Sequence, residues 1–584
     1  MFSYLNFFIS FLILLSKGLN LKFKNNFYSI ILTSFVIAYT TQGFISLGII
    51  SIGYSKFPII IFSSLFLFLI ILFDKSSTKK LSLFKNFISG EINFIKKDTN
   101  KKYNLIIFVI LILMNLIVIS SIGPINHPDA LDYHVGYPYQ YWLRGEFFID
   151  GGFHQAVLGI GDYANLPFIQ EKNIWLIRTL QIINLPIIVL FLLRKSKKKI
   201  LVLIFLSCPV FIQWATIGKP LFLVESACAV NFIIWNENKD LFSRRLLLFC
   251  ILSAISVKIS ATIICLPIII ELFQDFINKN NINKFTNNFK NIIFDPYTLF
   301  AFLKLISILI SREFIIGNFA FPLFTEILNK NNSLLINFAN DLSNYQRDGF
   351  FPINIFIPVS FSDLSSSIGP TILVIICTIF FIFVKNKKIF NFNELKIALT
   401  QIILLVLFCQ GRGDYYACPI ILLTYSSQVI NQFISKNLLK FFKNTINILL
   451  LFQILFLTLF LFISTMQSIY SALDYENSIR KISYGYETSL EINKNLDGNI
   501  FHNIGRNVRF YYPKKYIDRD KFNKCLIGDT QENCLKKFKI NQIIAPLNYL
   551  KNKNNFQCKT KLLNKGSRSP INRKKEIFEI CERL

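Results

Sequence analysis

The segment HPDALDYHVGYPYQYWLRGEFF, residues 127–148, holds the side chains of this sequence best suited to chemistry. Pro128 suits the first position of a helix, because the N–H that proline lacks would find no partner there. Asp129 and Asp132 then fall in the first turn, three residues apart and on one face, where the helix dipole favours their ionised form. An ionised carboxylate there can act as a general base or bind a divalent cation. Capping of a surface helix explains the same residues without catalysis, so both interpretations stay open.

The elements that must position these carboxylates are long apolar blocks. The chain has 584 residues, of which 53% are hydrophobic and 17% charged, and its mean hydropathy is +0.47, unlike an ordinary soluble protein. Blocks such as 106–122 and 446–463 are long enough, with their flanks, to cross about 30 Å of hydrocarbon. The sequence therefore predicts an all-α polytopic membrane protein with about 12–14 transmembrane helices.

The distribution of lysine and arginine predicts how these helices are oriented. We split the apolar stretch 246–273 at Lys258, because the Lys-rich loops then all fall on one side, which the positive-inside rule makes the cytoplasm. The long loops 123–172 and 312–365 fall on the other side. We thus expect a catalytic membrane region, 1–466, and an extracytoplasmic C-terminal domain, 467–584. The expected spans lie near 3–16, 28–51, 57–73, 103–122, 173–193, 200–217, 220–235, 246–257, 258–273, 297–311, 366–384, 395–409, 415–433 and 446–466.

The strong positive charge has a simpler explanation than nucleic-acid binding. The formal net charge of +29 comes from 63 Lys and Arg against 34 Asp and Glu, but the lysines lie in short loops between apolar blocks. Retention of positive charge in the cytoplasm accounts for that placement. We therefore expect the lipid bilayer, and no nucleic acid, as a partner.

The C-terminal region, 467–584, has the pattern of a small α/β domain. Short apolar stretches at 499–504, 541–546 and 576–581 alternate with turn-rich segments. Four cysteines lie there, an even number that suits two disulfides in an oxidising compartment. Nearness in sequence favours Cys525–Cys534 and Cys558–Cys581, although four cysteines allow three pairings.

Further charged residues at the expected outer face add candidates for a binding site. Lys219 and Lys258 are cations inside the helical bundle, where charge is costly and suggests function, although lysine can also extend to the interface. Glu225 is a third candidate carboxylate. His127 and His154 could ligate a metal, but no spacing typical of zinc occurs, so the metal requirement stays unknown.

Four patches of the sequence resemble one enzyme family. Asp129, Tyr133, His134, Leu143 and Gly145 follow the order of the first-loop motif of bacterial GT-C glycosyltransferases, the polyprenyl-phosphate-sugar enzymes related to protein mannosyltransferases and the lipid A aminoarabinose transferase. The segment 254–267 is similar to that family's small-residue helix with an embedded lysine. REFIIGNFAFPLF (312–324) and GRGDYYACP (411–419) resemble its Arg-Asn…Gly-Asn-Pro and Arg-Tyr…Pro segments, with Glu313 and Asp414 as departures.

This resemblance implies a glycosyltransferase and gives roles to individual residues. Asp129 would be the catalytic base and Asp132 a supporting carboxylate. A guanidinium group can bind two phosphate oxygens at once, so Arg312 and Arg412 would hold the lipid phosphate. Arginines that only anchor the protein to lipid headgroups would give the same sequence pattern. The expected substrate-binding residues are Tyr133, His134, Lys219, Lys258, Arg312, Arg412 and Tyr415.

The expected activity is transfer of a sugar from a polyprenyl-phosphate donor to an extracytoplasmic acceptor, at the bacterial inner membrane. The sequence identifies no cofactor with certainty, and a divalent cation is compatible with this chemistry. An envelope polysaccharide polymerase or ligase shares many helices and large outer loops. A lipid-linked-sugar transporter would instead place charges at mid-membrane, and a non-enzymatic scaffold would not need Asp129.

Overall fold

The computed structural model shows a mostly helical chain with a small sheet near its C-terminus. It describes residues 1–16, 25–97, 101–149, 153–196, 199–279, 295–321, 325–328, 336, 351–358, 367–385, 392–409, 413–428, 436–483, 485–493, 499–503, 508–512, 516–517, 519–550, 555–564 and 575–584.

The apolar blocks form the long helices. In the first part of the chain these are α1 (Phe2–Leu15), α2 (Asn25–Ser51), α3 (Ile59–Phe73), α4 (Ser77–Lys97) and α5 (Lys101–Ser121). Residues 123–172 hold short helices: α6 (Gly136–Arg144), α7 (Phe153–Ala156), α8 (Ile160–Tyr163) and α9 (Leu166–Gln170). Then follow α10 (Ile177–Gln181), α11 (Leu185–Lys195), α12 (Ile200–Leu206), α13 (Phe211–Ile217), α14 (Phe222–Asn238), α15 (Leu241–Val257) and α16 (Thr262–Lys279).

The later helices are α17 (Pro296–Ile316), α18 (Thr325–Leu328), α19 (Pro370–Lys385), α20 (Asn393–Cys409), α21 (Ala417–Ser426) and α22 (Lys436–Leu473). Each expected span overlaps one of these helices or a consecutive group of them, while positions 366 and 429–433 of two expected spans lie outside the described residues. The sequence did not predict α4, which follows α3 after a bend of 103°.

The predicted break at Lys258 is confirmed. The backbone there is extended, with φ −156° and ψ 120°, so α15 ends at Val257. A 3₁₀ turn, Ile259–Ala261, then leads into α16. At its other end α15 begins with a cap, because the Asp240 carboxylate accepts the Ser243 N–H at 2.7 Å.

Within the described residues, three stretches are long and apolar enough to cross a membrane, or up to five if each of two bent helix pairs counts as one span. The three are Asn26–Ser51, Ile174–Lys195 and Phe441–Leu473. The last of these is poorly covered by protein: Phe452 and Leu455 are 66% and 59% exposed. Apolar side chains in such number are costly to leave in water.

The C-terminal part combines helices α23 (Tyr475–Ile482), α24 (Tyr486–Asn493), α25 (Arg519–Gly528) and α26 (Gln531–Lys537) with a five-stranded sheet. The strands are β1 (Asn499–His502), β2 (Tyr516–Ile517), β3 (Ile540–Pro546), β4 (Phe556–Asn564) and β5 (Lys575–Arg583), in the order β2-β1-β3-β5-β4. β1 runs parallel to β2 and β3, whereas β5 is antiparallel to β3 and β4.

Both expected disulfides are confirmed. Cys525–Cys534 joins α25 to α26, and Cys558–Cys581 joins directly opposed residues of β4 and β5. Asp529 lies near the first pair, but both sulfurs of that pair are used in the disulfide and are not available to a metal ion.

Candidate functional site

A turn of π-helix, Ala130–His134, shapes the loop that carries the two predicted carboxylates. The Val135 N–H donates to the Ala130 carbonyl at 2.9 Å, five residues back. The wider turn rotates successive side chains by less than an α-helix does, so residues three apart no longer share one face. Asp129 and Asp132 consequently enter two different ion-pair networks, which is not the joint placement expected from an α-helical turn.

Asp129 belongs to a network organised by Lys219. The Lys219 ammonium lies 3.1 Å from an oxygen of Asp129 and 2.9 Å from an oxygen of Asp414. Lys219 is placed by Gly218, which ends α13 with φ +78°, a conformation that glycine adopts without strain. A single ammonium thus holds together two carboxylates that are far apart in sequence.

Asp414 is the buried member of this network. Its second oxygen accepts a hydrogen bond from the Gln213 amide, and the residue is 4% exposed. Burial opposes ionisation of the Asp414 carboxyl, but the positive charges of Lys219 and Lys258 outweigh burial and lower its pKa below the usual value. Asp414 is therefore an anion at neutral pH.

Lys258 completes what we call the Asp129 cluster: Asp129, Lys219, Lys258, Asp414 and Tyr415. The Lys258 ammonium lies 5.6 Å from the centroid of the Tyr415 ring, and the Tyr415 hydroxyl is 2.6 Å from the Ser260 hydroxyl. Within the described part of the chain, no carboxylate lies within ion-pair distance of Lys258. The cluster therefore combines the half-buried ammonium group of Lys258 with the carboxylates of Asp129 and Asp414.

Glu225 lies on the buried side of the cluster. It occupies the first turn of α14, is 1% exposed, and is close enough to Asp414 and Lys258 to feel their charges. A carboxyl group in this position adds a further proton-binding group at the base of the cluster.

Asp132 lies in a second network, the Asp132 cluster, formed with His154 and Arg509. The Arg509 guanidinium donates to one carboxylate oxygen, and His154 Nδ1 lies 2.7 Å from the other. Arg509 is fully buried and also lies over the Tyr137 ring at 4.4 Å. Both oxygens of Asp132 are thus occupied, which suits a positioning role better than proton transfer.

Residues 508–512 of the C-terminal region pack directly on this loop. The Gln140 amide donates to the Arg509 and Tyr512 carbonyls at 2.7 and 3.0 Å. At Gly136 a Cβ would lie 2.3 Å from the Leu131 carbonyl oxygen and 3.1 Å from the Arg509 Cβ. A side chain at position 136 would therefore push the C-terminal segment away.

His134 is buried and packed against Asp162. Its Nδ1 pairs with one Asp162 oxygen, while the other oxygen accepts the Gly159 N–H at 2.8 Å. Burial lowers the pKa of His134, and the attraction of Asp162 only partly offsets that effect. His134 is therefore a neutral, packed residue that fixes the loop, rather than the substrate-binding residue that the resemblance implied. Next to it, Tyr133 stacks on His154 with 5.1 Å between ring centroids.

The two predicted phosphate-binding arginines have different outcomes. Arg312 is 3% exposed, and its guanidinium donates to the Phe321 carbonyl at 2.5 Å and to the Val157 and Leu158 carbonyls at 3.5 Å. It joins the end of α17 to the 153–163 segment. Arg412 and Pro322 lie outside the described residues.

Four partners escaped the sequence reasoning, namely Gln213, Asp162, Asp414 as an anchor, and Arg509. Asp414 was noticed only as an interruption of a motif. Arg509 has no local signal, because its partner is 377 residues away.

We compared the chain with protein-family models, with curated protein sequences and with solved structures, and none of the three comparisons gave a match.

Proposed function

We propose that this chain is a multi-pass membrane glycosyltransferase of the GT-C type, which moves a sugar from a polyprenyl-phosphate donor to an extracytoplasmic acceptor. The single observation that carries the proposal is the Asp129 cluster, in which the Asp129 carboxylate contacts the Lys219 ammonium and a second ammonium, that of Lys258, acts on the shared partner Asp414. Among the described residues, Lys258 has no carboxylate at ion-pair distance. Transfer from a lipid phosphate needs both kinds of group.

In the proposed step, the acceptor hydroxyl oxygen attacks the anomeric carbon of the donor sugar. Asp129 takes the hydroxyl proton, and the bond between the anomeric carbon and the phosphate oxygen breaks. The electron pair of that bond remains on the phosphate, whose negative charge Lys258 stabilises. Lys219, held by Asp414, orients the Asp129 carboxylate.

The membrane assignment is supported by the exposed apolar surfaces of the long helices and by the charge distribution of the loops. A topology with about 12–14 spans would place the C-terminal domain outside the cytoplasm. The two disulfides of that domain suit an oxidising compartment.

The test is the substitution Asp129→Asn. Asparagine keeps the size of aspartate but cannot take up the acceptor proton, and loss of a general base costs about 10²–10⁴-fold in rate. Membranes containing each variant would receive a polyprenyl-phosphate hexose with a radiolabelled sugar, and transfer of label out of the lipid fraction would be measured.

A matched control is Asp240→Asn, an aspartate that caps α15. Asparagine also caps helices well, so this variant should retain transfer. Lys258→Met should raise the donor KM, because the phosphate loses a cation. Normal transfer by Asp129→Asn would remove the proposed role of the cluster and leave helix capping as the better interpretation.

A further inference from the structure

A second feature of the structure is a cavity lined in part by Tyr139 and Trp142 of α6. Its volume is about 280 Å³, near the lower end of the range of about 300–1,000 Å³ that ligand pockets occupy. We call it the aromatic cavity. Its walls include five aromatic residues and one lysine, which are Tyr139, Trp142, Trp175, Tyr475, Phe510 and Lys172.

The rings of the aromatic cavity form two groups. Tyr139 lies 4.8 Å from Phe510 and 5.8 Å from Trp142 between centroids. Trp175 lies 6.0 Å from Tyr475. The arrangement leaves flat apolar surfaces facing a space that is large enough for one ring-shaped ligand.

Polar groups also belong to the residues that line this cavity. The hydroxyls of Tyr139 and Tyr475 are close enough to influence each other electrostatically. Within the described chain, neither these hydroxyls nor the indole N–H groups of Trp142 and Trp175 hydrogen-bond to another residue. Indole is a donor only, whereas a hydroxyl can both donate and accept. A ligand rich in hydroxyl groups would satisfy all four.

Lys172 gives the cavity a charge preference. It is exposed, and across the described residues its ammonium has no carboxylate partner. Its backbone has φ +58°, a region that side chains other than glycine enter with difficulty, and the Lys172 N–H is fixed to the Ile169 carbonyl at 3.1 Å. The turn thus places Lys172 in the lining of the cavity, where its positive charge disfavours a cationic ligand and favours an anionic one.

We propose that the aromatic cavity binds one sugar ring that carries an acidic group, as an acceptor subsite of the proposed transferase. Aromatic faces stack on the C–H face of a sugar, the four polar groups bind its hydroxyls, and Lys172 binds the acid. The cavity is linked to the Asp132 cluster by a single turn of chain, because Arg509 enters that cluster and Phe510 lines the cavity. This assignment rests on the proposed function, but its test requires no turnover.

The experiment is a titration of the full-length protein in detergent micelles with methyl glucuronide and, separately, with methyl glucoside. Tryptophan fluorescence is the signal, since two of the four tryptophans line the cavity. We expect saturable binding of the glucuronide, about tenfold tighter than the glucoside. Tyr475→Ala should weaken both by about tenfold, and Lys172→Gln should bring the glucuronide to the level of the glucoside.

Matched controls are available in the exposed segment that precedes α3. Tyr54→Ala and Lys56→Gln make the same changes at exposed positions outside the cavity and should leave both affinities unchanged. Absence of saturable glucuronide binding, equal binding by Tyr475→Ala, or tighter binding of glycerophosphoethanolamine, a phospholipid headgroup, would each overturn the assignment. The titration measures binding without transfer of a sugar, so failure of the transferase proposal and failure of this one give different results.

Discussion

Substitutions in the Asp132 cluster should loosen the contact between the first loop and residues 508–512, and the two partners should not be equivalent. Asp132→Asn leaves the Arg509 guanidinium, which is fully buried, without an anion. Arginine cannot release its proton in a protein, so the charge stays. Arg509→Met leaves the Asp132 carboxylate buried, but that carboxylate keeps its contact with the imidazole of His154, 2.7 Å away.

The magnitude follows from this difference. Removing one partner of a buried ion pair costs about 3–5 kcal/mol. We assign the upper end, about 5 kcal/mol, to Asp132→Asn and the lower end, about 3 kcal/mol, to Arg509→Met. At about 1.4 kcal/mol for each factor of ten, these free energies raise the equilibrium constant for local opening by roughly 10²–10³·⁵-fold. The double variant, Asp132→Asn with Arg509→Met, should lose less stability than the two single variants added together, because neither buried charge remains.

Hydrogen exchange measured by mass spectrometry suits this test, because it reports local opening without requiring two-state unfolding of the whole chain. Peptides covering α6 and residues 508–512 should exchange faster in the order wild type, Arg509→Met, Asp132→Asn. The control is Glu476→Gln, which breaks the exposed Arg480–Glu476 pair and should leave exchange in these peptides unchanged. Wild-type exchange in Asp132→Asn, or a larger effect for Arg509→Met, would refute the reasoning.

Three other predictions address topology, pH and covalent links. A reporter active only in the periplasm, fused after Leu584, should be active, whereas activity of a cytoplasmic reporter alone would overturn the charge-based topology. The pKa of His134 is lower in the folded protein than in the unfolded chain, because burial disfavours the charged imidazole. The unfolded chain therefore binds the proton more readily, and the stability of the protein should fall as pH drops below about 6.5. Thermal melts of His134→Asn should lack this pH dependence, and a variant with the same pH profile as wild type would contradict the prediction. Cys558→Ser with Cys581→Ser should destabilise the sheet by about 2–4 kcal/mol, seen as faster exchange in β4 and β5 but not in α6.

The sequence was informative wherever a local pattern decided the structure. Apolar blocks located the long helices, and the charge argument placed the break at Lys258, where the backbone is extended. Short apolar stretches located β1, β3 and β5. Nearness in sequence chose the two disulfides, because each joins elements that are neighbours along the chain or across one pair of strands.

The candidate site could be predicted from the sequence less well than the fold, because its contacts join residues that are far apart in the chain. Asp129 was selected from its own segment, but its contact with Lys219 and the anchoring of Lys219 by Asp414 join residues about 90–200 positions apart. The π-turn was also invisible, because no residue type in Ala130–His134 distinguishes it from an α-turn. We expected Asp129 and Asp132 to share one face of an α-helix. The π-turn has about one more residue per turn than an α-helix, and this difference is enough to separate them.

The contact between Asp132 and Arg509 has a consequence for the order of events on the ribosome. The two residues are 377 positions apart, so at a synthesis rate of about 5–20 residues per second the loop is made roughly 20–75 s before its partner exists. During that interval Asp132 lacks the Arg509 guanidinium, and α6 lacks the Arg509 and Tyr512 carbonyls that Gln140 binds. Final closure of this region must wait until translation is nearly finished, which makes it a late step in the maturation of the protein.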